Sequence, residues 1–250
     1  MLTTSNWVSS IPKQSRQPSR RLFCFPYAGG AASIYRGWAD KLPPDIEVYP
    51  VQLPGHGNRL SETPFKRIEP LVAAAADALS PYFEGSFAFF GHSMGAIISF
   101  ELARLLRRES KPTPAHLFLS GRAAPHKIKK ESLTYNLPER EFIEELRRLK
   151  GTPQEVLEHP ELMNMLSPIL RADFEICETH QPLTEPPLAC PITAFAGLLD
   201  QDVTREQVEG WREYTSSSFT LRMFPGDHFF LHESAPVMLQ MIGQAMRETE

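Results

Sequence analysis

Six short apolar runs punctuate the chain: RLFCF at 21–25, IEVYPVQL at 46–53, FAFFG at 87–91, AHLFLSG at 115–121, PITAFAG at 191–197 and FTLRMFP at 219–225. Most are apolar at nearly every position, where a strand with one wet face would alternate. Unbroken apolarity over so few residues marks a strand buried on both faces. Between the runs, apolar residues return every three or four positions in SIYRGWADKL, EPLVAAAADALSPYF, MGAIISFELARLLRRES, TREQVEGWREYT and APVMLQMIGQAMRE, the period of a helix with one buried stripe. Strand and helix in alternation predict an α/β fold, a mostly parallel central sheet with helices on both faces. Thr204 followed three positions on by Gln207 is a capping-box pattern that predicts a helix start.

The rhythm breaks between Ala124 and Pro187. No strand is legible there, while NLPEREFIEELRRLKG and SPILRADFEICETH have helical spacing and are separated by Pro and Gly. A stretch of roughly sixty residues is too long for a loop and predicts a helical subdomain over the sheet. The first 18 residues are polar and rich in Ser, Gln and Pro, which predicts a flexible segment. The expected organisation is residues 1–18 flexible and 19–250 a single domain, with 124–187 as the helical insertion.

Composition narrows the chemistry. With 250 residues, 42% of them apolar, the chain can bury a sizeable core. A net charge of −4 gives no basic stripe for nucleic acid. Cys24, Cys177 and Cys190 lie far apart with no C-x-x-C spacing, which fits a reducing compartment and no cysteine metal site. No apolar run approaches the ~18 residues of a membrane span, so the expectation is a cytoplasmic protein with no membrane or nucleic-acid partner.

Gly91-His92-Ser93-Met94-Gly95 sits between the strand-like FAFF and the helix-like AIISFELARLL. The pentapeptide alone is common by chance. Strand, Gly-x-Ser-x-Gly and helix in that order describe an elbow that lifts a serine clear of the sheet as a nucleophile. Such a serine needs a histidine base and a carboxylate that orients it, both from the ends of later strands. Of eight histidines only His228 and His232 come late enough. His228 follows FTLRMFP directly, and His232 is the alternative. For the acid, the turn after PITAFAG offers Asp200, nearer the strand end, and Asp202. The oxyanion of a tetrahedral intermediate needs two N–H donors, one after the nucleophile, Met94, and one from an early loop. PYAGGAAS after the first strand supplies that loop, with Ala28 as the candidate donor.

These motifs in series, FCFPYAGGAAS, VQLPGHGNRLSE, FFGHSMGA, ELRRLKGTPQEVLEHPELM, LRADFEICETH, WREYT and FPGDHFFL, resemble those of the type II thioesterases of polyketide and nonribosomal peptide synthesis. These belong to the α/β-hydrolase superfamily, and the match covers nearly everything after residue 20. The resemblance implies Ser93 as nucleophile, Asp200 as orienting acid, His228 as base, and the amides of Ala28 and Met94 as oxyanion donors. It implies that residues 124–187 are a helical lid. The substrates it implies are acyl groups on the phosphopantetheine arm of acyl or peptidyl carrier proteins, stalled or wrongly primed ones above all, with no metal or organic cofactor in the enzyme. Gly226-Asp227 departs from the family's frequent Gly-Gly before the histidine, and Asp227 could bear on the base.

Tyr27, Met163, Met165 and Phe174 are candidate substrate-binding residues; Leu162, Leu166, Ile169 and Leu170 also suit an acyl pocket, or lid-to-core packing. The KIKK run with Lys127, Lys129 and Lys130 is a candidate docking patch for an acidic carrier, or a solvated face. The same triad would serve a carboxylesterase, a lipase or an acyltransferase, and a non-catalytic binding protein could keep the fold.

Overall fold

The computed structural model describes residues 6–9, 20–128 and 133–248. Strands β1 (Arg20–Phe25), β2 (Ile46–Pro50), β3 (Ser86–His92), β4 (His116–Ser120), β5 (Ile192–Gly197) and β6 (Phe219–Phe224) form one sheet in the order β2-β1-β3-β4-β5-β6, every pair parallel. Helices α1 (Ile68–Leu79), α2 (Met94–Arg108), α3 (Glu139–Leu149), α4 (Gln154–Leu157), α5 (Pro160–Thr179), α6 (Arg205–Glu209) and α7 (Ala235–Glu248) complete the frame.

Alternate strand residues feed two cores, which is why the inner strands are apolar at nearly every position. Phe23, Phe25, Phe87, Phe89, Leu117 and Leu119 pack against α1 and α2 through Val72, Ala75, Ile97 and Phe100. Leu22, Cys24, Ala88, Phe90, Phe118 and Phe195 face α7 through Met238, Leu239 and Ile242. Helix α6 starts where Thr204 accepts the Gln207 N–H and the Gln207 side chain accepts that of Thr204.

Two readings of the sequence are corrected. SIYRGWADKL is not one helix but two 3-10 turns, Ala32–Tyr35 and Ala39–Lys41, because Gly37 between them has φ +77, which no helix accommodates. Within the stretch expected to be flexible, Trp7 and Val8 are buried. Val8 bridges Val51 in antiparallel sense, the Gln52 N–H donates to the Trp7 carbonyl at 2.8 Å, and the Arg59 guanidinium lies 5.0 Å from the Trp7 ring. This segment covers the edge of the sheet at β2, where unpaired backbone would otherwise be exposed. The rest of 1–18 lies outside the described residues.

Between β4 and β5 the chain leaves the sheet for α3, α4 and α5. Phe142, Leu146, Leu157, Met163 and Leu170 give this insertion a small core of its own. Its returning end is pinned to α2: Arg107 and Arg108 donate to Glu185 at 2.6 and 2.7 Å, and His180 meets Glu101 at 2.9 Å. Among the described residues no helix is long and apolar enough to cross a membrane. No group of three or more His, Cys, Asp or Glu side chains there could hold a metal ion.

Candidate active site

Ser93 joins β3 to α2 with φ 53 and ψ −110, a conformation that costs a non-glycine residue on the order of 1–3 kcal/mol and persists only where its surroundings enforce it. Its glycine neighbours are the enforcement. A Cβ on Gly91 would stand 1.9 Å from the Gly95 carbonyl oxygen, and one on Gly95 would stand 2.0 Å from that of Phe25. Only glycines let strand, helix and β1 pass so closely. From Phe87 to Arg104 every residue is buried except Ser93, so the turn delivers one hydroxyl to the surface of the sheet.

Because all strands are parallel, the loops after β1, β3, β5 and β6 emerge on one edge. After β5, the Asp200 side chain is fully buried, and its Oδ2 accepts from His228 Nδ1 at 2.7 Å. Its other oxygen accepts the N–H groups of Asp202 and Val203 at 2.9 and 3.0 Å. Both carboxylate oxygens are thus fixed, and the pairing sets His228 with Nδ1 protonated and Nε2 free to take a proton. The structure separates the alternatives: Asp202 accepts from Arg148 at 2.7 Å, and His232 meets the Tyr27 hydroxyl at 3.4 Å. Asp227 is exposed and accepts the Phe229 N–H at 3.0 Å. Gly226, at φ +110, must be glycine; position 227 carries no such demand.

The β1 loop turns at Tyr27–Gly30, closed by the Gly30 N–H on the Tyr27 carbonyl at 2.8 Å, with Gly29 at φ +75. The Gly29 amide donates to Asp173 at 2.7 Å, so of these three successive amides Ala28 is the one outside both bonds. Met94 opens α2, where first-turn amides have no acceptor within the helix.

Ser93, His228, Tyr27 and Ala28 line a cavity of about 320 Å³ whose other walls are Leu146, Leu149, Leu170 and Phe174 of the insertion. Arg122, Thr134 and Glu178 form a polar end. Burial lifts the Glu178 carboxyl above the usual carboxylate range, against hydrogen bonds from Thr134 and Tyr135. At the rim, Arg148 bridges Asp202 and Glu145. A second cavity of about 170 Å³, lined by Leu60, Val156, Leu166 and Ile169, shares Leu170, Gly151 and Thr152 with the first.

Tyr27 and Phe174 therefore reach the cavity, whereas Met163 and Met165 do not. Met163 is buried in the insertion's own core, two helical turns or about 10 Å along α5 from Leu170, and Met165 is 51% exposed. On α5 the cavity-facing stripe is Leu166, Leu170, Phe174 and Cys177, spaced by three or four. Lys127 is partly exposed, and Lys129 and Lys130 lie outside the described residues.

His92 stands next to Ser93 in the chain, but only the fold shows that its ring packs against the base. Its Nδ1 lies 2.9 Å from the Ser120 hydroxyl and its ring centroid 5.2 Å from that of His228. Burial first, then the charge of His228, holds it well below the ordinary histidine range, so it is a neutral ring packed under the base. The cysteines are free thiols, Cys24 buried and the other two half-buried; desolvation pushes Cys177 up to about 12 and Cys190 up to about 11.

The thioesterase domain family matches residues 20–246. The chain is 46% identical over 249 residues to linear gramicidin dehydrogenase LgrE of Brevibacillus parabrevis, covering 98% of this chain and 94% of that protein. It is 47% identical over 227 residues to gramicidin S biosynthesis protein GrsT of Aneurinibacillus migulanus, covering 91% and 89%. Among solved structures, the type II thioesterase BorB from the borrelidin biosynthetic cluster superposes with a TM-score of 0.83 at 36% identity, over 91% of this chain and 93% of that one. With the family match running from β1 to α7, this chain belongs to the thioesterase family, a hydrolase of thioesters with a type II thioesterase among its relatives.

Proposed function

We propose that the protein hydrolyses acyl thioesters carried on the phosphopantetheine arm of acyl or peptidyl carrier proteins, clearing stalled or wrongly primed groups from a biosynthetic assembly line. The observation that carries this reading is the 2.7 Å Asp200–His228 contact beside a serine on a strained elbow, all opening into a cavity with apolar walls. The biosynthetic origin of GrsT and BorB supports the carrier-bound substrate.

In the first half-reaction Ser93 Oγ attacks the thioester carbonyl carbon while His228 Nε2 takes its proton. The carbonyl oxygen becomes an oxyanion held by the Ala28 and Met94 amides. The C–S bond then breaks, and His228 returns the proton to the departing pantetheine thiol. In the second, water gives its proton to His228 and attacks the acyl-serine, releasing the acid and restoring Ser93. Asp200 stays ionised throughout and steadies the imidazolium. The insertion serves as a lid: Leu146, Leu149, Leu170 and Phe174 take the acyl chain, while the rim admits the arm. The protein needs no cofactor of its own for these steps.

The test is single-turnover hydrolysis of acyl groups loaded on carrier protein, with p-nitrophenyl esters in parallel. Wild type should prefer the carrier thioester, and Ser93→Ala should fold yet lose essentially all turnover. Retained turnover in that variant, or a preference for the oxyester, would overturn the proposal.

A further inference from the structure

One buried charged pair takes no part in the steps above. Asp173 lies on α5 of the insertion with its side chain 2% exposed, and His56, in the loop after β2, is 3% exposed. Asp173 Oδ2 accepts from His56 Nε2 at 2.8 Å and from the Gly29 amide at 2.7 Å. His56 Nδ1 in turn lies 3.0 Å from the Pro54 carbonyl oxygen. Both ring nitrogens face atoms that only accept, so both must donate, and His56 is an imidazolium. Burying two charges is costly unless each is fully hydrogen-bonded, and here the carboxylate oxygen is satisfied by one cation and one backbone amide.

That amide belongs to the residue after Ala28. Holding the Gly29 N–H fixes the Ala28–Gly29 peptide plane, and the Gly30-to-Tyr27 bond closes the turn around it. Together they set where the Ala28 N–H points. Helix α5 grips the same loop a second time: a Cβ on Gly29 would stand 2.6 Å from Leu170 Cδ2, three residues before Asp173.

We infer that Asp173 is a positioning residue for the oxyanion hole: by holding the Gly29 amide it aims the Ala28 amide at the reacting carbonyl, so that the insertion completes the catalytic loop. The inference rests on the proposed reaction. Loss of one oxyanion donor costs roughly 100- to 1,000-fold in kcat, and loss of its alignment a part of that.

The experiment compares Asp173→Ala and Asp173→Asn in the full chain, measuring kcat and KM on an acyl N-acetylcysteamine thioester. A matching acyl trifluoromethyl ketone, whose serine adduct places an alkoxide in the hole, is titrated as inhibitor. Asp173→Ala should lower kcat roughly 10- to 100-fold with little change in KM, and weaken the ketone by a similar factor. Asp173→Asn keeps an oxygen within reach of the amide and should recover most of both. If Asp173→Ala does not fold, Asp173→Leu, of similar size and unable to accept, takes its place. An unchanged kcat, a loss confined to KM, unaltered ketone affinity, or an Asn variant as impaired as Ala would overturn the inference. With wild type active and Ser93→Ala dead, each of these results counts against Asp173 alone. A wild type inert on thioesters would overturn the reaction and the inference together.

Discussion

Replacing Asp200 by Asn changes one atom and tests the whole triad. Asp200 uses Oδ2 for His228 Nδ1 and Oδ1 for the amides of Asp202 and Val203, so every partner it has is a donor. An asparagine can satisfy one side only. If its NH₂ faces His228, the ring must turn over its tautomer, and the Nε2 lone pair that should receive the serine proton is lost. If the NH₂ faces the loop, it meets the two N–H groups of Asp202 and Val203, donors from which it cannot accept. Tautomer loss of this kind costs roughly 10⁴-fold in kcat, ~5.5 kcal/mol of transition-state stabilisation. Asp202→Asn is the control. It weakens a pair whose side chains are 51% and 32% exposed, worth about 1 kcal/mol at most, and leaves His228 untouched. Steady-state hydrolysis of one acyl thioester by both variants, with thermal melts to show that each folds, makes the comparison. The expected order is Asp200→Asn down by about four decades and Asp202→Asn within a few-fold of wild type. An Asp200→Asn enzyme within tenfold of wild type, or a reversed order, would refute the assignment of the acid.

Two further outcomes follow from the same geometry. Leu170 lines both cavities, so Leu170→Ala should join them and move the optimum of kcat/KM toward longer acyl chains, while Leu170→Phe should move it toward shorter ones; an unmoved chain-length profile would show that the second cavity takes no substrate. Burial works against the charged form of His56, but the Asp173 carboxylate and the Pro54 carbonyl outweigh it and raise its pKa above 6.5. The folded protein then holds a proton the unfolded chain has released, so this stabilisation is complete below about pH 6.5 and falls as pH rises through the raised value. His92 and His116 are shifted the opposite way, and their effects lie below that range; the thiols act only nearer pH 9. Urea unfolding between about pH 6.5 and 8 should therefore show a decline in wild type that His56→Gln lacks, and parallel slopes would rule the pair out as its source.

The sheet is legible because strands buried on both faces leave few polar positions, and the elbow because Gly91 and Gly95 are demanded by backbone contacts. SIYRGWADKL misled because helical spacing over ten residues says nothing of the φ at Gly37. Polarity hid the two apolar residues, Trp7 and Val8, that anchor residues 6–9 to the sheet. Met163 and Met165 suit an acyl pocket by residue type, but the phase and length of α5 decide what reaches the cavity. Nearness to the strand end favours Asp200 over Asp202, and the turn between them shows the physical reason: one carboxylate is buried against His228 and the other lies on a surface arginine. Asp173 and His56 lie 117 residues apart in the chain, and only the fold reveals that they form one pair.

Sheet and insertion divide the work unequally. The parallel strands place Ser93, Asp200, His228 and the β1 loop on one edge, and the groups that would touch the reacting atoms all come from there. The insertion adds walls, but it is not free to move as one body. Its exit is locked to α2, the helix that begins at the elbow. There the Arg104 side chain, 3% exposed, pairs with both Glu101 and Glu185 and donates to the Leu183 carbonyl. A little upstream, α5 is fixed to the β1 loop through Asp173 and Leu170. The C-terminal half of α5, held at both points, behaves as part of the catalytic frame, whereas α3 and α4 rest on the insertion's small core and the exposed Arg148–Asp202 contact. Substitutions that retune substrate choice without loss of rate should therefore fall on α3 and α4, and those at Asp173 and its neighbours in the C-terminal half of α5 should cost turnover.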